Sequence, residues 1–546
     1  MTTHPMDNSE LTMEAARPAS TFSSSKGVDQ FPGGSEEGID GGVVQLNRRS
    51  LKRFKLAYAV STFGFSPAFA GMITYGLFQL QTIGFMIGHE PGFPPGTGCM
   101  PGAQACRVPW AGRGDVNLTS FILYLNAISY AVSGLLTFFI SSLGDHMRFK
   151  REQYVFFVVI YGVLCLPLAA MTKFDLKTFN TIAALYATFN IVGFLVQAWM
   201  KIFVPYTMQT AVIEPVQKGG GADQDRSPSD PTSTADPVAK RQASEKAGVQ
   251  MSVWSSNAMQ SSFVLFYLIY IGISYASFTA QSQAGLWITT GAGALCILLS
   301  LASWRFLPNP KKLESQGPTN WFLLSFSTFG ELWRGLRNYP EAFKYLIAYT
   351  IYNDSNFAFS NVIGQLFNLS IRPGVREFTA YSMTSPIASV LFLTLWYFIL
   401  PRTKLSLRHW IVCGYSVMAF VCFWCLLGLS ASSKVGFKNR WEFYLMALLQ
   451  GFSNAITSSC FTVLFCQLFP KGKEIRYFGF QLVLSCSTVW IPQVVDGPIV
   501  DATNNIRLPA IISFVFFLIS TGLAWWTDEV KGIERVRELE ERKEGL

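Results

Sequence analysis

Twelve apolar runs, each long enough to cross a bilayer, decide what this chain can fold into. They fall at 56–87, 119–143, 154–171, 179–204, 252–277, 284–304, 345–367, 378–400, 410–433, 443–469, 477–500 and 508–526. A helix needs roughly 20 apolar residues to span the hydrocarbon core, at about 1.5 Å per residue. Backbone amides find no water there, so only helices or a closed barrel satisfy them. The runs are too long and too continuous for tilted barrel strands. The expectation is an all-α membrane protein with twelve transmembrane helices.

Charge is sparse, at 14% of residues, against roughly 25% in soluble domains. The formal charge of +9 does not mark a nucleic-acid binder, because the basic residues cluster beside helix ends and form no basic face. With the N-terminus inside, the flank 48–55 and the short loops after spans two, eight and ten hold 14 Lys and Arg, against 10 in the opposite loops. Cytoplasmic loops carry the basic excess, so both termini are expected in the cytosol. The sequons Asn117-Leu-Thr and Asn368-Leu-Ser then fall on the other side, where glycosylation occurs. A third match, Asn353-Asp-Ser, lies within a span and out of reach.

Cys99 and Cys106 share a Gly/Pro-rich luminal loop and either close a small disulfide or stay as two thiols. The other eight cysteines lie in spans as small apolar residues. None has metal-ligand spacing with His, so neither a metal nor a cofactor is expected.

The remaining segments divide the chain. Residues 1–47, rich in Ser, Gly, Pro and acid groups, read as a disordered cytoplasmic tail. No cleavable signal peptide is visible, and the first span serves as signal anchor. Residues 48–304 read as a six-helix bundle with a flexible cytoplasmic loop at 205–250, and 345–526 as a second six-helix bundle. Between them, 305–344 is a linker in which Trp321, Phe322, Phe326, Phe329, Trp333 and Leu336 recur at near-helical spacing beside Arg334 and Arg337. That pattern predicts an amphipathic interfacial helix. Residues 527–546 read as a charged cytoplasmic tail. Two pseudo-symmetric six-helix bundles joined by a linker is the layout of the major facilitator fold, whose halves rock around a midplane site.

The loop Gly144-Asp145-His-Met-Arg148-Phe-Lys150-Arg151 joins spans two and three. An acid followed by a basic cluster there makes Asp145, Arg148, Lys150 and Arg151 candidates for a latch between the halves. The alternative is an ordinary stop-transfer charge cluster. The corresponding loop after span eight, Pro401 to Arg408, has no acid.

Phe469-Pro-Lys-Gly-Lys-Glu474-Ile-Arg-Tyr-Phe-Gly-Phe480, followed by Asp496-Gly-Pro-Ile-Val-Asp501-Ala-Thr-Asn-Asn-Ile-Arg507, resembles the vacuole effluxer family related to autophagy-related protein 22. Tyr352-Asn353-Asp354 matches that family's span seven, and Ser120 to Asp145 resembles its second span. Three departures stand out. Ser355 replaces the usual Gly, span one has no acid between Ser61 and Met72, and Ser453 to Ser459 lacks the usual Arg. The resemblance implies a carrier that exports amino acids, neutral or branched, from the vacuole lumen to the cytosol after autophagic breakdown. Within its motifs Glu474, Asp496, Asp501 and Arg507 are candidate gate or end-capping residues.

Asp354 is the only acid deep within a span, flanked by Asn353 and Asn356. A mid-membrane carboxylate costs roughly 2.5–3.5 kcal/mol on insertion scales. It is therefore a candidate to hold a substrate ammonium or to carry a coupling proton, the other reading being a packing hydrogen bond. Lys201, at the end of span four, is read as snorkelling to the headgroups. Gln79 and Gln81, Asn190 and Gln197, and Gln450 and Asn454 sit on spans one, four and ten, which line the cavity in this fold. They are candidate readers of a zwitterion, with interhelical hydrogen bonding as the bland alternative for each. Pro67, Pro386 and Pro492 are expected to kink their helices.

Enzyme chemistry finds no support. The chain has no phosphate loop, no Gly-x-Ser-x-Gly elbow and no metal cluster. It shows no channel filter or charged ring either. The expected partners are the bilayer, an amino-acid substrate and protons. The competing readings are a plasma-membrane carrier of another small polar solute, and a non-transporting receptor or scramblase.

Overall fold

The computed structural model describes residues 48–544 except 100–105, 111–113, 147–148, 208–236, 276–280, 309–325, 470–473 and scattered single positions beside these. The expected tail 1–47, Arg148, most of the 205–250 loop and Trp321, Phe322, Phe329 and Arg334 of the linker lie outside the described residues.

The apolar runs fold as twelve helical spans. Span one combines helix Arg48–Gly71, a π-helical turn at Met72–Gly76 and helix Leu77–Ile87. Spans two to six are Leu118–His146, Lys150–Cys165 with a 3-10 turn at Leu166–Ala170, Leu176–Lys201, Pro237–Ser274 and Gln281–Trp304. Spans seven to ten are Pro340–Ser370, Val375–Ile399, Leu407–Leu427 and Arg440–Gln467. Span eleven is broken at Val489 into Glu474–Thr488 and Trp490–Thr503, and span twelve is Pro509–Trp526.

Local chemistry sets the ends. Pro340 and Pro509 each occupy the first turn of a helix, where the missing N–H costs nothing. Asp175 accepts the Thr178 N–H and starts span four, while Asn439 and Glu442 form a capping box on span ten.

Eleven helices are long and apolar enough to cross a membrane among the described residues. The twelfth, Pro340–Ser370, has 31 residues and so the length. Its Asn, Asp and Ser content removes it from the apolar set.

Span one packs on spans five and six, two on four, and three on four and six. The second half follows the same plan with six added to each number: seven on twelve and, more lightly, on eleven, eight on ten, and nine on ten and twelve. Between the halves, two packs on eleven and five on eight, the pairs that the same shift exchanges. This is the pseudo-two-fold arrangement of the major facilitator fold. Each half has its own aromatic-rich core, with Tyr154, Tyr161 and Tyr270 fully buried in the first and Tyr345, Tyr415 and Phe359 in the second. Small residues allow close crossings. A Cβ on Gly162 of span three would stand 2.7 Å from the Gly293 carbonyl oxygen of span six.

The link between spans one and two forms a small capped hairpin. Strand β1, Arg107–Pro109, pairs antiparallel with β2, Asp115–Asn117. Cys99 and Cys106 are joined by a disulfide, and Val108 is buried against Leu80, Ile83 and Leu118. We call this end of the molecule the hairpin end.

One expectation needs correction, and two segments show detail beyond the sequence reading. Residues 237–250, expected as flexible loop, are the first turns of span five. The 527–546 tail is largely the helix Glu529–Glu544, whose Val536, Ile533 and Leu539 join the second core. Its apolar residues recur at helical spacing, a signal that its many charges obscure. The helix Arg48–Gly71 of span one continues through Pro67, and an irregular turn follows at Met72–Gly76.

Candidate functional site

Polar side chains converge at the middle of the second bundle. Span seven presents Asn353, Asn356, Phe357, Ser360, Asn361, Gly364 and Asn368 as one half-buried stripe at helical spacing. Asn353 Nδ2 donates to Ser485 Oγ of span eleven at 3.0 Å. Asn356 Nδ2 donates to Asn454 Oδ1 of span ten at 3.1 Å, and Gln450 Nε2 donates to Ser360 Oγ. Behind the stripe, the hydroxyls of Tyr352 and Ser453 share a bond of 2.7 Å.

Asp354 lies beside this wall, 7% exposed. Thr488, the last residue before the break in span eleven, is in hydrogen-bond reach of its carboxyl, and Oδ1 has no partner. The break places the Thr488 hydroxyl next to the one deep carboxylate of span seven.

The first bundle faces the stripe with rings. Phe357 meets Tyr130 of span two at 6.3 Å and Phe194 of span four at 6.0 Å between centroids, and those two rings pack edge to face at 5.1 Å. Asn190 is buried one turn from Phe194 and lies in reach of the Tyr186 hydroxyl, and Gln197 is half-buried. Between the bundles, an amide and hydroxyl wall thus meets an aromatic one.

The expected site residues separate. Asn353, Asp354, Asn356, Gln450 and Asn454 come together. Gln79 does not join them, since its Nε2 donates to the Met171 carbonyl at 3.3 Å and ties span one to the end of span three. Gln81 accepts from Asn368 Nδ2 at 2.7 Å, a link across the two bundles. The Asn368 amide is thus held between helices. Asn117 is half-buried in β2, where its Oδ1 accepts the Thr119 N–H.

The hairpin end is sealed by further cross-bundle contacts. Asp501 of span eleven accepts hydrogen bonds from Ser120 Oγ and, at 3.2 Å, from Tyr124 OH of span two. Gly497 lets Tyr124 in, for a Cβ there would sit 2.6 Å from the ring. Tyr75 OH and Thr379 Oγ1 pair at 3.0 Å between spans one and eight. The π-turn at Met72–Gly76 lets consecutive residues serve different partners, since Thr74 pairs with Tyr267 of span five at 2.8 Å. Arg376 of span eight donates to the Ser274 carbonyl and stacks on Tyr275 at 4.1 Å.

The latch candidates divide likewise. Arg151 pairs with its neighbour Glu152 at 2.6 Å and stands over Trp304. Lys150 is buried at the start of span three. The side chains of Asp145 and Glu474 lie outside the described residues. Arg507 donates to the Gly436 and Phe437 carbonyls of its own bundle and joins span twelve's approach to the loop before span ten. Burial lowers the pKa of its guanidinium from the ordinary arginine value. Asp496 is 1% exposed with neither oxygen hydrogen-bonded. The sequence reading missed Ser360, Ser485, Thr488, Tyr130, Phe194 and Phe357. The half-buried stripe of span seven, with its 3–4 residue period, was the signal available.

The family described as "Vacuole effluxer Atg22 like" matches residues 49–537. The chain belongs to that family. Autophagy-related protein 22 of Candida albicans is 26% identical over 491 residues, covering 89% of this chain and 91% of its own length. Autophagy-related protein 22-2 of Neosartorya fischeri is 20% identical over 280 residues, 49% of this chain and 43% of that relative. Among solved structures, the inward-open xylose transporter XylE from E. coli aligns over 90% of this chain and 99% of its own, with a TM-score of 0.53 and 11% identity. That likeness shows the fold alone. Family and fold together make this vacuole effluxer-family protein a multi-pass secondary transporter, not an enzyme.

Proposed function

We propose that this member of the vacuole effluxer family carries amino acids with apolar side chains from the vacuole lumen to the cytosol, with the hairpin end luminal. One observation carries the reading: a wall of amides and hydroxyls on spans seven, ten and eleven faces Tyr130 and Phe194 of the first bundle, with Phe357 of span seven packed against both rings. A zwitterion needs donors and acceptors at one end, and an apolar side chain needs rings at the other. The sealed hairpin end corresponds to the cytosol-facing state of the alternating cycle. Asp354 is the coupling carboxylate, taking a proton from the acidic lumen and releasing it to the cytosol.

The test is uptake of labelled leucine, lysine and glutamate into proteoliposomes under an imposed pH gradient. Leucine is expected to be carried and the two charged amino acids to be rejected. Asp354→Asn is expected to abolish dependence on the gradient while leaving leucine counterflow. Gradient-driven leucine transport by Asp354→Asn at the wild-type rate would remove Asp354 from the mechanism. Absence of leucine counterflow in the wild-type protein would remove the substrate assignment.

A further inference from the structure

Span eleven carries a second buried carboxylate that the site above does not use. Asp496 is 1% exposed and both of its oxygens lack a hydrogen-bond partner. Gln493, one turn earlier on the same helix, is 0% exposed with both amide atoms unpartnered. At about 1.5 Å per residue, Asp496 lies roughly 10 Å below the hairpin end of its helix, whereas Asp354 lies about 24 Å below the end of span seven. Gln365 of span seven, 4% exposed and with an unpartnered Oε1, stands at nearly the depth of Asp496.

An isolated buried carboxylate needs a positive partner, because the desolvation cost of the bare ion is several kcal/mol or more. The helices packed against this half of span eleven supply none. Span two brings Tyr124, which bonds Asp501, and Tyr130, with Asp145 and His146 at its far end. Span seven brings Asp354 and Tyr345, Tyr349 and Tyr352, with Glu341 and Lys344 at its far end. Span twelve has no titratable side chain between Pro509 and Trp526. On span eleven itself the nearest charge is Asp501, another acid, while Glu474, Arg476, Tyr477 and Cys486 belong to the half beyond the break. Polar groups on these helices are therefore hydroxyls, amides and acids, and among the described residues no cation faces Asp496.

We propose that Asp496 is a second proton-carrying carboxylate of the transport cycle, standing between hairpin-side water and Asp354. A proton from that water forms an O–H bond on one Asp496 oxygen and neutralises it. The bond breaks again when the cycle exposes the group to water. A sodium ion fits less well, since Asp496 and Gln493 together provide three oxygens, fewer than a metal shell of roughly six needs. The proposal rests on the proton-driven reading above, with Asp354 as the other carrier.

Infrared difference spectroscopy of the full-length protein in liposomes, acidified from neutral pH in sodium-free buffer, reads each carboxyl separately. Two protonated-carboxyl bands are expected. Asp496→Asn should delete one and Asp354→Asn the other, while Gln493→Leu should move the Asp496 band without deleting it. Asp496→Ser repeats the deletion in a second side chain, in case the amide disturbs folding. If every band survives Asp496→Asn and Asp496→Ser in folded protein, the proposal is overturned. It is equally overturned if the Asp496 carboxylate band responds to sodium and not to acid. Failure of the Asp354 reading has a different signature, the survival of the band assigned to that residue.

Discussion

Asp501 accepts from two hydroxyls of the opposite bundle, so Asp501→Ala removes both links at one stroke. A buried hydrogen bond to a charged acceptor is worth about 1.5–3 kcal/mol. Asp501 is exposed at the hairpin end, and solvent competes for it, which reduces the pair to about 1–2 kcal/mol in total. These bonds exist only while spans two and eleven are closed, so their loss is spent on the closed state. A change of that size multiplies the open-to-closed ratio by roughly 5–30. The assay is alkylation by a membrane-impermeant maleimide of a cysteine placed at Asn126, which is 1% exposed on span two. Cys413, exposed on span nine, is first replaced. Alkylation from the hairpin side should accelerate by the same factor in Asp501→Ala, and by less in Tyr124→Phe, which keeps the Ser120 bond. An unchanged rate, with the melting temperature also unchanged, would refute the assignment of Asp501 as a latch.

Three further outcomes are expected. Glu442→Ala strips the acceptor from the Trp424 indole and from the Gly436 and Phe437 amides, at 2.8, 2.7 and 2.6 Å. With donors left unmet at about 1–3 kcal/mol each before rehydration, the melting temperature in detergent should fall clearly, whereas Glu442→Gln should lose less. Replacing Cys99 and Cys106 by Ser opens a short loop worth about 2–3 kcal/mol on the chain-entropy account, and hydrogen exchange across 88–117 should quicken while the spans stay protected. Asp175, whose carboxyl is held below the usual aspartate value by hydrogen bonds from Thr178, contributes stability that is present above the unfolded value of about 3.9 and lost as pH falls through the folded one. The protection factor at the start of span four, exchange corrected for its intrinsic pH dependence, should therefore be the same at neutral and at mildly acidic pH, and Asp175→Ala should lower it at both.

Much of the fold was legible because lipid imposes one rule on every span. Continuous apolar length fixes a helix, and the twelve runs locate the twelve helices, most ends falling within a few residues, while spans one and five begin well before their apolar runs. The rule weakens where function competes with it. Span seven has the length but not the apolarity, and its polar stripe from Asn353 to Asn368 is the reason. Asp354 was visible as a lone charge, and Asn353 and Asn356 as its neighbours. The aromatic wall was not, since Tyr130, Phe194 and Phe357 look like any other rings in a chain that is 15% aromatic. Amides likewise carry no label for their partner. Gln79 and Gln450 look alike in sequence, yet one ties a loop and the other faces the polar wall. The tail helix Glu529–Glu544 was hidden because its few apolar residues meet a core assembled from distant segments.

The two bundles share a packing plan but not a chemistry, and that difference shapes what the transporter can do. Within the membrane the second bundle holds Asp354, Asp496 and most of the paired amides, while the first contributes hydroxyls, rings and a few neutral amides. Symmetric packing lets both halves rock as similar bodies. Asymmetric polarity means that any change of charge is felt by one half alone. The break in span eleven at Val489 lies between the two acids along that helix, with Thr488 beside Asp354 on one side and Asp496 on the other. Span eleven also carries Asp501, the acceptor that seals the hairpin end against span two. On the proton-coupled reading proposed above, protonation of Asp496 would act directly on the helix that bears Asp501, and protonation of Asp354 would reach the same helix through Thr488, with no need for a route through the first bundle.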